Sequence, residues 1–208
     1  MEKPILFNTE MVRAILDGRK TQTRRIAKTA TYIMTSVEKL DEELSKGIVN
    51  KYAPFQLGDI LWVRETWQYI EESDTDGFYV YAADREDPAE WKWKPSIHMP
   101  REAARIFLKV KDVRMERLQD MSEEDAISEG YSGVCPGAHT VYFPDGYAEP
   151  CHVGGEDCRY GYWYCNHSIQ EAFGSDIWDR MIKPVELPRY GWEANPWVWA
   201  IEFERCDL

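Results

Sequence analysis

The stretch Arg19-Lys20-Thr21-Gln22-Thr23-Arg24-Arg25 gathers four cations and two hydroxyls in a chain whose formal net charge is −12. A threonine hydroxyl becomes a nucleophile only when a neighbouring base takes its proton. Lysine can be that base if burial or nearby positive charge lowers its pKa, and Arg24 and Arg25 adjoin it in sequence. The planar fork of Arg25 suits bidentate contact with a base carbonyl or a phosphate. The simpler reading is a solvated basic face at a helix C-terminus, where cations complement the helix dipole.

A second concentration of reactive types lies further on. Cys135, Cys151, Cys158 and Cys165 share a short stretch with His139, His152 and His167. Thiolates and imidazoles are the ligands zinc prefers, and four of them close a structural tetrahedron. The four cysteines are the first choice, and a metal would explain how a segment with little hydrophobic patterning holds a shape. The spacing is loose and contains no C-x-x-C pair, so free or partly buried thiols are the alternative. No cysteine stands in a recognisable nucleophile context.

The elements that must position these residues follow from local signals. Pro4 to Phe7 reads as a short strand. Asn8 or Thr9 can cap a helix whose buried stripe is Met11, Val12, Ile15 and Leu16, with Gly18 as its stop. A short helix is expected around Val37–Leu44. The Gly58-Asp59 turn leads into one strand from Ile60 to Trp67, rich in β-branched and aromatic residues. Phe78–Ala83 and the alternating Ile106, Leu108 and Val110 give two more strands, with a Pro-containing loop over residues 91–100 between them. Ser122 opens a helix in capping-box fashion, and Gly130 closes it. Ser168 opens another, with Ala172, Phe173, Ile177, Trp178, Met181 and Ile182 as its buried face. Pro196–Glu204 alternates as a closing strand. Strands separated by helices of unequal length favour a small α+β barrel over a doubly wound sheet.

Composition bounds the function classes. The 208 residues are 44% hydrophobic and 30% charged, the balance of a globular protein rather than a disordered one. A single domain spanning 1–208 is expected, with insertions at about 28–53, 68–100 and 131–167. No apolar run reaches the roughly 20 residues a membrane span needs, and Met1-Glu2-Lys3-Pro4 is unlike a signal peptide. Five cysteines without an export signal fit a reducing cytoplasm. An excess of 37 acidic over 25 basic side chains argues against non-specific nucleic-acid binding, which depends on Lys and Arg displacing counterions. A local basic pocket that reads one base or nucleoside is compatible with it.

The Gly18-x-Lys20-x-x-x-x-Arg25 spacing after a short helix resembles the signature of the ASCH family of PUA-like β-barrels. The Gly58-Asp59-Ile60-Leu61 turn and the final Trp199-Ala200-Ile201-Glu202-Phe203 strand fall in that family's order. The resemblance covers roughly half the chain, and long members of this kind are common in bacteriophages. It implies a small barrel with flanking helices and a Cys/His-rich insertion. It further implies a pocket for a nucleobase, nucleoside or RNA that needs no cofactor, any zinc being confined to the insertion. Small family members that deacetylate N(4)-acetylcytidine use a lysine, a threonine and a glutamate. Carried over, these are Lys20, Thr23 and Glu129, with Gly18 and Arg25 beside them. The enzymes are much shorter, and Ile26-Ala27-Lys28 departs from the acidic residues they carry.

Glu65 is a reserve for the carboxylate. Trp67 is a candidate stacking platform, as are Trp62, Trp91 and Trp93, although large aromatics are more often core. Two other functions remain open on these residues: a non-catalytic RNA-binding module, and a phage accessory protein that binds a host protein through its acidic surface. Thr21 competes with Thr23 for the pocket.

Overall fold

The computed structural model describes residues 1–29, 42–72, 75–86, 92–131, 140–142, 148–150 and 169–207. Strand β1 (Glu2–Leu6) leads into helix α1 (Thr9–Leu16), capped by Asn8, whose Oδ1 accepts the Met11 N–H at 2.8 Å. Then come β2 (Gln22–Ile26), α2 (Glu42–Tyr52), β3 (Ile60–Arg64), β4 (Trp67–Glu72) and β5 (Thr75–Tyr81). A long β6 (Phe107–Arg117), α3 (Glu123–Ser128), and the short strands β7 (Thr140–Tyr142) and β8 (Ala148–Pro150) follow. Helix α4 (Ile169–Phe173) runs on through a π-helical turn, Gly174–Trp178, into Asp179–Met181. The chain closes with β9 (Trp197–Cys206). The architecture is α+β.

The main sheet has the order β1-β3-β6-β9-β2. β1 and β3 are parallel, and the other neighbours are antiparallel. β9 sits between β6 and β2, and its first five residues are buried, with apolar groups on one face and both apolar and charged groups on the other. Its odd positions Trp197, Trp199, Ile201 and Phe203 join Ile5, Phe7, Val12, Ile15, Leu61, Val63, Leu108 and Val110 in the principal core. Val198 faces the other way, with Leu118, Met121, Ala126, Phe173 and Trp178. Each such apolar side chain contributes about 1.5–3 kcal/mol on burial, so this two-sided strand anchors the register of β2 and β6.

The structure corrects several expectations. The closed barrel is not formed: among the described residues β1 and β2 are the two edges of an open sheet. The sheet curls instead, and Arg25 of β2 reaches the end of β1, where Nη2 donates to the Leu6 carbonyl at 2.7 Å. The single strand expected over 60–67 breaks after Arg64, and Trp67 opens a separate hairpin of β4 with β5. The helix expected near 37–44 lies mostly outside the described residues; a helix, α2, is described at Glu42–Tyr52, and its Ile48 packs into the principal core. Met181 is exposed because the π-helical turn rotates the helix away from a simple 3.6-residue stripe. Among the described residues no helix is long and apolar enough to cross a membrane.

Candidate active site

The backbone delivers Lys20 by two tight turns. α1 ends at Gly18, whose φ of +73° is the left-handed conformation that glycine adopts without strain. The amides of Arg19 and Lys20 both donate to the Ala14 carbonyl at 2.9 Å, turning the chain back under the helix. Thr21 N–H then donates to the Ser128 carbonyl at 2.8 Å, and Lys20 pairs with Glu129 in an isolated antiparallel bridge. On the facing side, α3 starts in a capping box of Ser122 and Asp125 and ends with Glu129 at its C-terminus. Gly130 follows at φ +86°, and a Cβ there would lie 2.9 Å from the Ala14 Cβ and 3.1 Å from the Lys20 Cβ. Two glycines thus let two helix ends meet at Lys20.

The side chains meet as well. Lys20 Nζ donates to Glu129 Oε2 at 2.6 Å and to the Glu129 carbonyl at 2.8 Å. Its side chain is 0% exposed and that of Glu129 is 4%. The Phe7 ring closes another side, its centroid 5.7 Å from Nζ. Burial pulls the Lys20 ammonium below the usual lysine value; Glu129 opposes this, and Arg25 and Arg24 add to the fall. Lowering a lysine's pKa shifts it toward the neutral form that general-base chemistry uses.

Around the pair, β2 sorts its residues by alternation. Thr23 pairs with Ile201 and Arg25 with Trp199, so both point to the principal-core side. Thr23 is 1% exposed, whereas Thr21 is exposed. Arg25 is half-buried, with its guanidinium 5.3 Å from the Phe7 ring centroid. Among the described residues its one hydrogen bond runs from Nη2 to the Leu6 carbonyl. Burial pulls the guanidinium below its usual value, and Glu129 opposes that.

The alternate residues, Gln22 and Arg24, point to the opposite face and build a polar network that local sequence patterns do not reveal. Arg24 is 0% exposed and touches three carboxylates: Glu116 at 2.6 Å, Asp125 at 3.1 Å and Glu129 at 3.3 Å. Across the small Ala200 lies Arg114, paired with the other oxygens of Glu116 and Asp125, each at 2.8 Å. Gln22 joins through its amide, with Nε2 donating to Asp125 Oδ1 at 2.8 Å. Burial pushes the Asp125 carboxyl up, but the Ser122 N–H, Arg24 and Arg114 outweigh it and hold it below its usual value. The available signal was the i, i+2 pairs Gln22/Arg24 and Arg114/Glu116. Nothing in either strand identifies its partner on the other.

The remaining candidates lie in other places. Glu65 is 1% exposed and forms a bidentate pair with Arg105, at 2.9 Å and 3.0 Å, which Asp84 grips from its other side at 2.7 Å. Burial raises the Glu65 carboxyl, and Arg105 opposes the rise. Trp67 is buried with Met99 and Ala103 beneath Lys94, whose Nζ is 4.9 Å from the ring centroid. Among the described residues its buried Nε1 has no hydrogen-bond partner. Cys135, Cys151, Cys158 and Cys165 lie outside the described residues, as do His139, His152, His167 and Trp91. Among the described residues no group of three or more His, Cys, Asp or Glu could hold a metal ion.

Comparison with family models and with curated proteins gives no match. One solved structure that is similar is an ASCH domain from Lactobacillus crispatus JV V101, at 13% identity, covering 93% of this chain and 70% of that one. The TM-score is 0.31, a likeness that decides neither topology nor activity.

Proposed function

We propose that this chain binds a nucleobase or nucleoside beside the Lys20–Glu129 pair and hydrolyses an amide on it, with N(4)-acylated cytidine as the substrate class. The observation that supports this most is the pair itself: a fully buried lysine, held 2.6 Å from a buried glutamate and depressed chiefly by burial. A lowered pKa is the direction that favours a lysine acting as a base. The Gly18-x-Lys20-x-x-x-x-Arg25 spacing adds the resemblance to ASCH proteins, and the planar guanidinium of the half-buried Arg25 suits a base carbonyl.

In this reading neutral Lys20 takes the proton of the Thr23 hydroxyl as its oxygen attacks the acyl carbon. The tetrahedral adduct collapses, the carbon–nitrogen bond breaks, and the proton passes from Lys20 through Glu129 to the departing amine. Water then cleaves the Thr23 ester with Lys20 again as base, releasing the carboxylic acid and restoring the hydroxyl. Arg25 orients the base through its carbonyl.

A second reading is a non-catalytic RNA-binding module. It is favoured by the half-buried Arg25, a cation beside the Phe7 ring, with the fully buried Lys20 supporting the site from within. One experiment separates the two: incubation with N(4)-acetylcytidine, following release of cytidine, beside Lys20→Ala and Glu129→Ala. Release by the parent alone supports hydrolysis. No release, with RNA binding that weakens with salt and with Lys20→Ala, supports the module.

A further inference from the structure

The two oxygens of Glu129 are divided between two cations. Lys20 Nζ holds Oε2 at 2.6 Å, and Arg24 Nη1 holds Oε1 at 3.3 Å. Arg24 cannot swing away, because its Nε and Nη2 both donate to Glu116 Oε1, at 2.9 Å and 2.6 Å, and Nη2 also contacts Asp125. Glu116 and Asp125 are tied in turn by Arg114. The guanidinium therefore links the network on one face of β2 to the lysine pair at its end.

From this geometry we infer that Arg24 is a positioning residue: it fixes Glu129 Oε1 so that only Oε2 can exchange a proton with Lys20. The inference deepens the reading above and rests on it for the reaction, but it concerns the pair itself. A guanidinium is a fixed cation with a planar fork, so it serves as a clamp and never as the proton carrier. Its charge also works on Lys20. The charged groups facing Lys20 are Glu129 from the end of α3 and Arg24 and Arg25 from β2, with the Phe7 ring on the remaining side. Removing Arg24 takes away one repelling cation and leaves Glu129 hydrogen-bonded to Lys20, with Arg25 as the other nearby cation. The lost repulsion favours the protonated lysine.

The test reads Lys20 directly, without substrate. The side-chain amine titration is followed by NMR on lysine-labelled protein, with Lys20 assigned from Lys20→Arg. Arg24→Gln is expected to raise the Lys20 midpoint by about one pH unit, the scale of one lost charge contact near a buried group. Because Arg24→Gln strands buried carboxylates, the charge-balanced Arg24→Gln/Glu116→Gln variant carries the same expectation. Asp125→Asn disturbs the network but leaves the Arg24–Glu129 contact, so it should lower the melting temperature and move the midpoint by less than about 0.3 unit. An unmoved midpoint in both Arg24 variants overturns the assignment, as does an equal shift in Asp125→Asn. If the parent releases cytidine from N(4)-acetylcytidine, its pH–rate midpoint should rise with the titration midpoint. A titration shift in a parent without turnover would retain the role of Arg24 in holding the pair and remove the hydrolase reading.

Discussion

Lys20 and Glu129 lie 109 positions apart, yet one nitrogen of Lys20 binds both the carboxylate and the main-chain carbonyl of Glu129. The contact therefore joins a helix end to a strand entry as much as it joins two charges. Backbone and side chain of Glu129 are held by the same group, so the carboxylate has little freedom to rotate. Four predictions follow from this arrangement and its surroundings.

Breaking the pair from one side should be expensive. Lys20→Met leaves Glu129 buried with Arg24 as its nearest cation, and Glu129→Leu leaves a buried ammonium. Each is expected to cost about 3–5 kcal/mol in urea denaturation, the usual result of stranding a buried charge. The double variant should lose markedly less than the two costs combined. Strict additivity would show that the two residues are not coupled.

The two glycines should differ. Gly18 and Gly130 share a left-handed backbone, but a Cβ at Gly18 meets nothing within 4 Å, while one at Gly130 presses on Ala14 and Lys20. Gly18→Ala is expected to cost about 1–2 kcal/mol for backbone strain alone. Gly130→Ala should cost at least about 1 kcal/mol more for overpacking, and it should disturb the Lys20 NMR signal. Equal costs would contradict the close approach.

The pH dependence of stability has two readable limbs. Asp125 has a native pKa below its usual 3.8. Its stabilisation is complete above that value and is lost as pH falls through the depressed native one. Asp125→Asn should therefore flatten the acid limb of melting temperature below about pH 4. Lys20 gives the opposite limb. Its native pKa lies below the usual 10.5, so the unfolded chain binds more protons in that window and stability gains from Lys20 as pH rises through it. The gain should be present in the parent and absent from Lys20→Met, so that it appears as the difference between their stability–pH curves.

Arg25 should act as the clasp of the open sheet. It carries the hydrogen bond from β2 to the Leu6 carbonyl and stacks on Phe7. Arg25→Met keeps most of the packing and loses the charged hydrogen bond, at a cost of about 1.5–3 kcal/mol. Amide exchange should quicken at the edges β1 and β2, with β6 and β9 unchanged. Uniform protection across all strands would deny the clasp.

The sequence by itself determined what is decided within a few residues. Asn8 or Thr9 and Gly18 bound α1, the structure selecting Asn8, while Ser122 and Asp125 cap α3 and Gly130 ends it. Each signal is a side chain satisfying an orphan backbone group nearby, or a backbone angle that one residue type tolerates. The nearness of Arg24 and Arg25 to Lys20 was equally legible. Only the tertiary structure decided that Arg24 is buried against Glu116, Asp125 and Glu129, positions 92 to 105 residues away, rather than lying on a solvated helix face. It also decided that Trp67 leaves the strand of Trp62 for its own hairpin, and that the sheet stays open and is fastened by Arg25. These depend on the register of β2, β9 and β6. That register is a sum of apolar burial on two faces of one sheet, and no single stretch of chain contains it.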